Sequence, residues 1–217
     1  MFVETRKKGT EGWNLYLVTE QGFSAGRSSL EVAREAIAGG VEVIQLRDKQ
    51  LPLPERYWLG RELRQLTREK GVELIVNDRA DLAQALEADG VHLGQSDLPP
   101  AVARKLLGED KIIGVSVSTP DEARVAEEKG ADYLGVGAIY STQSKEVEKS
   151  RSSLGIEKLR EIRDCCHLPL VAIGGLTREN SARVISALTQ AEDVRQEAKL
   201  FREQIIEAKS RKGEKDE

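Results

Sequence analysis

No stretch of the 217-residue sequence approaches the ~18 consecutive apolar residues that a membrane span requires, so no membrane partner is expected. The opening MFVETRKKGTEGWN lacks the apolar core of a secretory signal, and a cytoplasmic location is expected. Charge of one sign is also missing. The 33 basic residues are spread among 37 acidic ones for a formal net charge of -4, which leaves no electrostatic footprint for nucleic acid. Any anionic ligand must therefore be held locally. Cysteine is scarce, and Cys165 and Cys166 are adjacent. That spacing disfavours a mutual disulfide and cannot make a CxxC metal half-site, so both read as structural thiols in a reducing compartment. No Ser or Cys nucleophile motif accompanies His92, which reads as a strand residue satisfied in place rather than a catalytic base. His167 precedes the last strand candidate on the opposite face and is set aside.

Short runs rich in Val, Ile and Leu are present, each followed by a longer charged segment with helical spacing. They are NLYLVTE from Asn14, VIQLRD from Val43, ELIVND from Glu73, GVHLG from Gly90, KIIGVSV from Lys111, YLGVGAI from Tyr133 and PLVAIGG from Pro169. The alternation predicts βα units around a parallel sheet, and the nearly continuous apolar character of the runs says both faces are covered. Segments such as SLEVAREAIAGG and PERYWLGRELRQLTREKG carry helix start and stop signals. Thr119 with Glu122 fits a capping box ahead of a helix near Pro120. An open doubly wound sheet gives the same pattern, but the first βα turn has no GxGxxG. About seven closely spaced units favour a (β/α)8 barrel of TIM type as a single domain over residues 1–209. Residues 210–217 read as a charged, disordered tail.

Polar residues cluster where the strands end, the face on which a βα barrel builds its active site. Asp78 closes the third strand and Asp97 follows the fourth, so two carboxylates can face each other across neighbouring loops. Two carboxylates without a histidine cluster suit Mg²⁺, which completes its shell with water and phosphate oxygens. The plainer alternative pairs Asp78 with Arg79 and makes Asp97 a cap for the helix entering at Pro99. Gln45, Arg47 and Lys49 alternate along the second strand and point to one side. The two cations would suit a diphosphate, unless Asp48 simply neutralises them. Thr142, Ser144 and Lys145 lie in a polar loop that could cradle phosphate or be ordinary exposed loop. Gly174-Gly175 ends the seventh strand, where backbone N–H groups bind phosphate in barrels and where a tight turn alone would also select glycine. Anion holders and a cation site without covalent machinery suit departure of a diphosphate.

The motifs QLRDK, NDR, ADGVHLGQSDLP, GVSVST, GADYLGVGAIYSTQSK and VAIGGLT occur in the order seen in thiamine-phosphate synthases, and the chain resembles that family from about Asn14 to Ser181 and again from near Ile185. The resemblance implies a Mg²⁺-dependent transferase that joins a hydroxymethylpyrimidine diphosphate to a thiazole phosphate. The pyrimidine diphosphate ionises and the thiazole nitrogen captures the resulting cation. By the same resemblance Gln45, Arg47, Lys49 and Asn77 receive the pyrimidine diphosphate, and Asp78 and Asp97 hold the metal. Ser116 and Lys145 are the catalytic candidates, Ser116 near the pyrimidine and its leaving group and Lys145 on the diphosphate. Thr142, Ser144 and Gly174 resemble the thiazole-phosphate cradle. The related thiazole tautomerase and a catalytically impaired phosphate binder are the alternatives, and Lys49, Asp78, Asp97 and Lys145 together argue against the tautomerase.

Two departures from the family pattern stand out. Ala138 replaces its usual proline, which should loosen the loop slightly. The larger is a deletion around the seventh helix and eighth strand, where GGLTRENSARVISALTQAED runs straight on without a GADG-type turn. Roughly ten residues are missing, about one strand and its turn. Val184 to Ser186 aligns either with the late part of the family's seventh helix, which loses the strand, or with the end of its eighth strand, in which case Ser186 would be the family's phosphate-binding serine. The expected consequences are exposed strand edges, self-association into a homo-oligomer and half a thiazole-phosphate site.

Overall fold

The computed structural model describes residues 10, 12–140, 153–177 and 193–213, with side chains up to residue 207. Seven strands form one sheet in sequence order, every neighbouring pair parallel. They are β1 (Tyr16–Val18), β2 (Val43–Leu46), β3 (Glu73–Asn77), β4 (Gly90–Leu93), β5 (Ile112–Val117), β6 (Tyr133–Gly137) and β7 (Leu170–Ile173). Between them run α1 (Ser29–Ala38), α2 (Leu53–Lys70), α3 (Ala80–Ala85), α4 (Pro100–Leu107), α5 (Pro120–Glu128) and α6 (Gly155–Cys165), and α7 (Val194–Gly213) closes the chain. This is the expected TIM-type barrel. Among the described residues β1 and β7 are the two ends of the sheet.

The last helix packs back on the first. A Cβ on Gly39, just past α1, would lie 2.5 Å from the Arg195 carbonyl oxygen and from the Ala198 methyl, so only glycine lets the helices approach this closely. The helix reaches Gly213, past residue 210 where the charged tail was expected to begin. The capping box expected at Thr119 is half formed. Thr119 accepts from the Glu122 N–H at 3.2 Å, but the Glu122 carboxylate accepts from the Ser118 N–H instead of returning to Thr119. A complete capping box starts α1, where Ser28 and Glu31 bond reciprocally.

An acidic residue immediately before each even strand accepts the N–H at the start of the preceding odd strand. Glu42 takes Leu15 N at 3.0 Å, Asp89 takes Leu74 N at 2.8 Å, and Asp132 takes Ile113 N at 2.7 Å. Arginines from the outer helices neutralise two of them, Arg64 on Asp89 and Arg104 on Asp132, each at 2.6 Å. Arg202 of α7 stands 3.9 Å from Glu42. These brackets fix the strand starts at the end opposite the strand C-termini. No described helix is long and apolar enough to cross a membrane.

Candidate active site

Strand alternation points one set of side chains into the barrel, and this set lines a cavity of about 460 Å³. Tyr16, Gln45, Asn77, His92, Ser116 and Tyr133 are among its polar groups, and Val18, Val171 and Ile173 form part of its apolar wall. Two glycines make the room. A Cβ on Gly114 would come within 2.1 Å of the Tyr133 ring, and one on Gly135 within 2.7 Å of the His92 ring.

Gln45 and Arg47 line the cavity, as their alternation implies. Arg47 is ion-paired to Glu20 at the end of β1. Asp48 does not neutralise Arg47 or Lys49. It is buried, and its carboxylate accepts from the Thr19 hydroxyl, from Gln21 N at 2.8 Å and from the Ser29 hydroxyl at 2.7 Å, binding the β1 and β2 loops to α1. Lys49 instead reaches Asp78, with Nζ 2.8 Å from Oδ2.

Asp78 takes a left-handed backbone conformation with φ 63° directly after β3, a turn that aspartate tolerates better than most residues. Arg79 turns away to pair with Asp81, so the Asp78–Arg79 alternative fails. Asp97 does not cap α4 either, since that helix has no side-chain cap. Its Oδ2 accepts from Gly94 N at 2.6 Å. Partial burial, and then the negative charge of Asp78, push the Asp97 carboxyl above its ordinary pKa, while Gly94 N and Lys49 oppose them. The two carboxylates therefore sense each other as facing loops should. Among the described residues no group of three or more His, Cys, Asp or Glu could hold a metal. Two carboxylates are enough for a cation that keeps water and phosphate oxygens.

Asn77 is buried, and its Nδ2 has no acceptor among the described residues. A buried donor left unpaired costs about 1–3 kcal/mol, which a ligand acceptor in the cavity would offset. Ser116 lines the cavity and its Oγ lies 2.9 Å from His92 Nε2. His92 Nδ1 is 2.9 Å from the Tyr133 hydroxyl, so both ring nitrogens are engaged, as the reading of a satisfied strand histidine requires. Gly174 and Gly175 both have positive φ, and a Cβ on Gly174 would meet the Ala138 methyl at 2.5 Å. The tight turn is therefore real, and the helix expected to follow it lies outside the described residues. So do Thr142, Ser144, Lys145 and Ser186. His167 is exposed on the outside, and both cysteines are free.

Glu20, Gln95 and Ser96 also belong to this end of the barrel and were missed. Gln95 Nε2 donates to the Ser116 carbonyl at 2.6 Å, bracing the end of β5. All three follow strands, so the rule that exposed the other polar clusters could have found them.

The sequence matches the family described as thiamine monophosphate synthase over residues 15–194. It is 55% identical to the thiamine-phosphate synthase of Natronomonas pharaonis, with 85% of this chain and 91% of that protein covered. Against the Moorella thermoacetica thiamine-phosphate synthase it is 49% identical, covering 92% and 99%. The solved thiamine phosphate pyrophosphorylase of Pyrococcus furiosus superposes with a TM-score of 0.80 at 39% identity, over 90% of this chain and 96% of that one. The Natronomonas match runs over 194 positions but takes in 85% of 217 residues, about 184, so about ten aligned positions have no counterpart here. That agrees in size with the deletion.

Proposed function

Because the chain belongs to the thiamine monophosphate synthase family, we propose that it condenses 4-amino-2-methyl-5-(diphosphooxymethyl)pyrimidine with 4-methyl-5-(2-phosphooxyethyl)thiazole, giving thiamine phosphate and diphosphate. It is a transferase of thiamine phosphate synthesis. The observation that carries the finer reading is the meeting of Lys49, Asp78 and Asp97 beside a cavity lined by Gln45, Arg47, Asn77 and Ser116.

Asn77 offers the pyrimidine diphosphate an unsatisfied donor, and Gln45 offers an amide. Arg47 is held in place by Glu20, so its orientation is set before a substrate arrives. Lys49 is half-exposed and can swing from Asp78 onto a phosphate oxygen. Asp78 and Asp97 would hold Mg²⁺, which when bound supplies positive charge to the departing diphosphate. Ser116 would donate to the same leaving group, and the apolar wall of the cavity would keep water from a pyrimidine cation. Thr142, Ser144, Lys145 and Gly174 are assigned by likeness to the thiazole phosphate and the diphosphate. A thiazole tautomerase would need neither the lysine nor the paired aspartates.

The test is direct. Purified protein with both substrates and Mg²⁺ should form thiamine phosphate and diphosphate, and excess EDTA should abolish it. No product under those conditions overturns the reading.

A further inference from the structure

The barrel interior holds one continuous chain of hydrogen bonds that links five strands. Gln45 Nε2 on β2 donates to the Tyr16 hydroxyl on β1 at 2.7 Å. The Tyr16 and Tyr133 hydroxyls are 2.9 Å apart, joining β1 to β6. Tyr133 then reaches His92 Nδ1 on β4, and His92 Nε2 reaches Ser116 Oγ on β5, both at 2.9 Å. Tyr16 and Tyr133 are fully buried, and burial raises both phenols above their ordinary pKa, so each keeps its single proton.

A buried chain of groups with one proton each, in which every internal proton must find an acceptor within the chain, has only two consistent polarities. An amide nitrogen can only donate, so Tyr16 accepts from Gln45, and its buried proton has Tyr133 as its remaining partner among the described residues. Tyr133 must then donate to His92 Nδ1. A neutral imidazole that accepts at Nδ1 carries its proton on Nε2, and Nε2–H donates to Ser116. His92 is the hydrogen-bond partner of Ser116 Oγ among the described residues, so with His92 donating, the Ser116 proton is left for a group in the cavity that Ser116 lines.

We infer that His92 is a positioning residue, locked by Tyr133, Tyr16 and Gln45 as the Nε2–H tautomer, which makes the Ser116 hydroxyl an obligate donor to an acceptor oxygen of the bound substrate. The fitted glycines support the same purpose, since any side chain at position 114 or 135 would displace Tyr133 or His92. His92 is thereby unavailable as a general base. The tautomer lock stands on geometry alone; only the identity of the acceptor, a diphosphate oxygen, rests on the synthase reading.

The chain has two histidines, and His167 is exposed, so ¹⁵N-labelled full-length protein gives one buried and one reference imidazole. Two-bond ¹⁵N–¹H correlation should show His92 neutral, with Nδ1 as the unprotonated nitrogen and Nε2 as the protonated one. Gln45→Glu places an acceptor against Tyr16 and should reverse the chain to the Nδ1–H tautomer. A wild-type His92 carrying its proton on Nδ1, or an unchanged tautomer in folded Gln45→Glu, overturns the lock. If Gln45→Glu fails to fold, the wild-type spectrum decides the tautomer and Tyr133→Phe, which leaves Nδ1 without its partner, should give mixed tautomers. In activity, Tyr133→Phe should lower kcat about tenfold with less than a twofold change in KM for the pyrimidine diphosphate, and should add nothing to Ser116→Ala. Full additivity of the two would remove Ser116 from the end of the chain. An inactive parent protein with the expected tautomer would instead sink the synthase reading and leave the lock intact.

Discussion

Lys49 Nζ and Asp78 Oδ2 stand 2.8 Å apart, although one residue follows β2 and the other follows β3. The ammonium therefore already has a carboxylate when no substrate is bound, and it tempers the repulsion between Asp78 and Asp97. Lys49→Ala should weaken use of the pyrimidine diphosphate by ~1.5–3 kcal/mol, through loss of a charge-assisted hydrogen bond. It should also lower the Mg²⁺ concentration needed for half-maximal rate, because the two carboxylates lose their internal cation. Steady-state kinetics at varied Mg²⁺ checks both, and an unchanged kcat/KM would remove Lys49 from the diphosphate site.

Asp97 makes one hydrogen bond to the backbone, at Gly94 N, and is partly exposed. Asp97→Ala should thus lower stability by only about 0.5–1.5 kcal/mol while removing most of the turnover. Urea denaturation alongside the rate assay separates the two effects. A variant with wild-type rate would mean that Asp97 holds no metal.

Asp48 should behave in the opposite way. Its buried carboxylate satisfies three donors, two from the loop after β1 and one from the start of α1, so Asp48→Ala strands them and should cost about 2–4 kcal/mol in a denaturation experiment. Asp48→Asn retains one acceptor oxygen and should lose less. Equal losses would show that shape, rather than the acceptors, is what the site requires.

The alternation of strand and helix was legible because its signals are local, with apolar runs of strand length and glycines at helix ends. The site residues on β2, β3 and β5 were legible through strand periodicity and the family motifs. Partners were not, since Lys49 and Asp78 or Arg47 and Glu20 meet only after separate strands pair. Reading neighbours in sequence suggested Arg79 for Asp78 and a helix cap for Asp97, and the left-handed turn at Asp78 defeats the first. The same limit hid the Tyr16–Tyr133–His92 chain, in which no two members lie closer than 41 residues.

The remaining prediction concerns the ends of the sheet. Glu42, Asp89 and Asp132 precede β2, β4 and β6 and bracket the starts of β1, β3 and β5, so a fourth acid ahead of an eighth strand would complete the series at β7. Arg163 of α6 donates to the Cys166 carbonyl shortly before β7, close to where such an acid would find its arginine. The GADG-type turn missing from this chain would have supplied that aspartate. Inserting the turn and a Val-rich strand between Ile185 and Ser186 should therefore raise the melting temperature and the affinity for the thiazole phosphate, and reduce self-association through the β1 and β7 edges. The aspartate itself carries a separable part of the effect. An insertion with GAAG in place of GADG should recover less stability, by about 1.5–3 kcal/mol, the worth of a hydrogen bond to a charged acceptor. Differential scanning calorimetry of the parent and both insertions, with and without thiazole phosphate, measures each part. If neither insertion raises the melting temperature, β1 and β7 are already satisfied by residues between Thr177 and Asp193. If both raise it equally, the bracket is absent from the fourth quarter of the barrel.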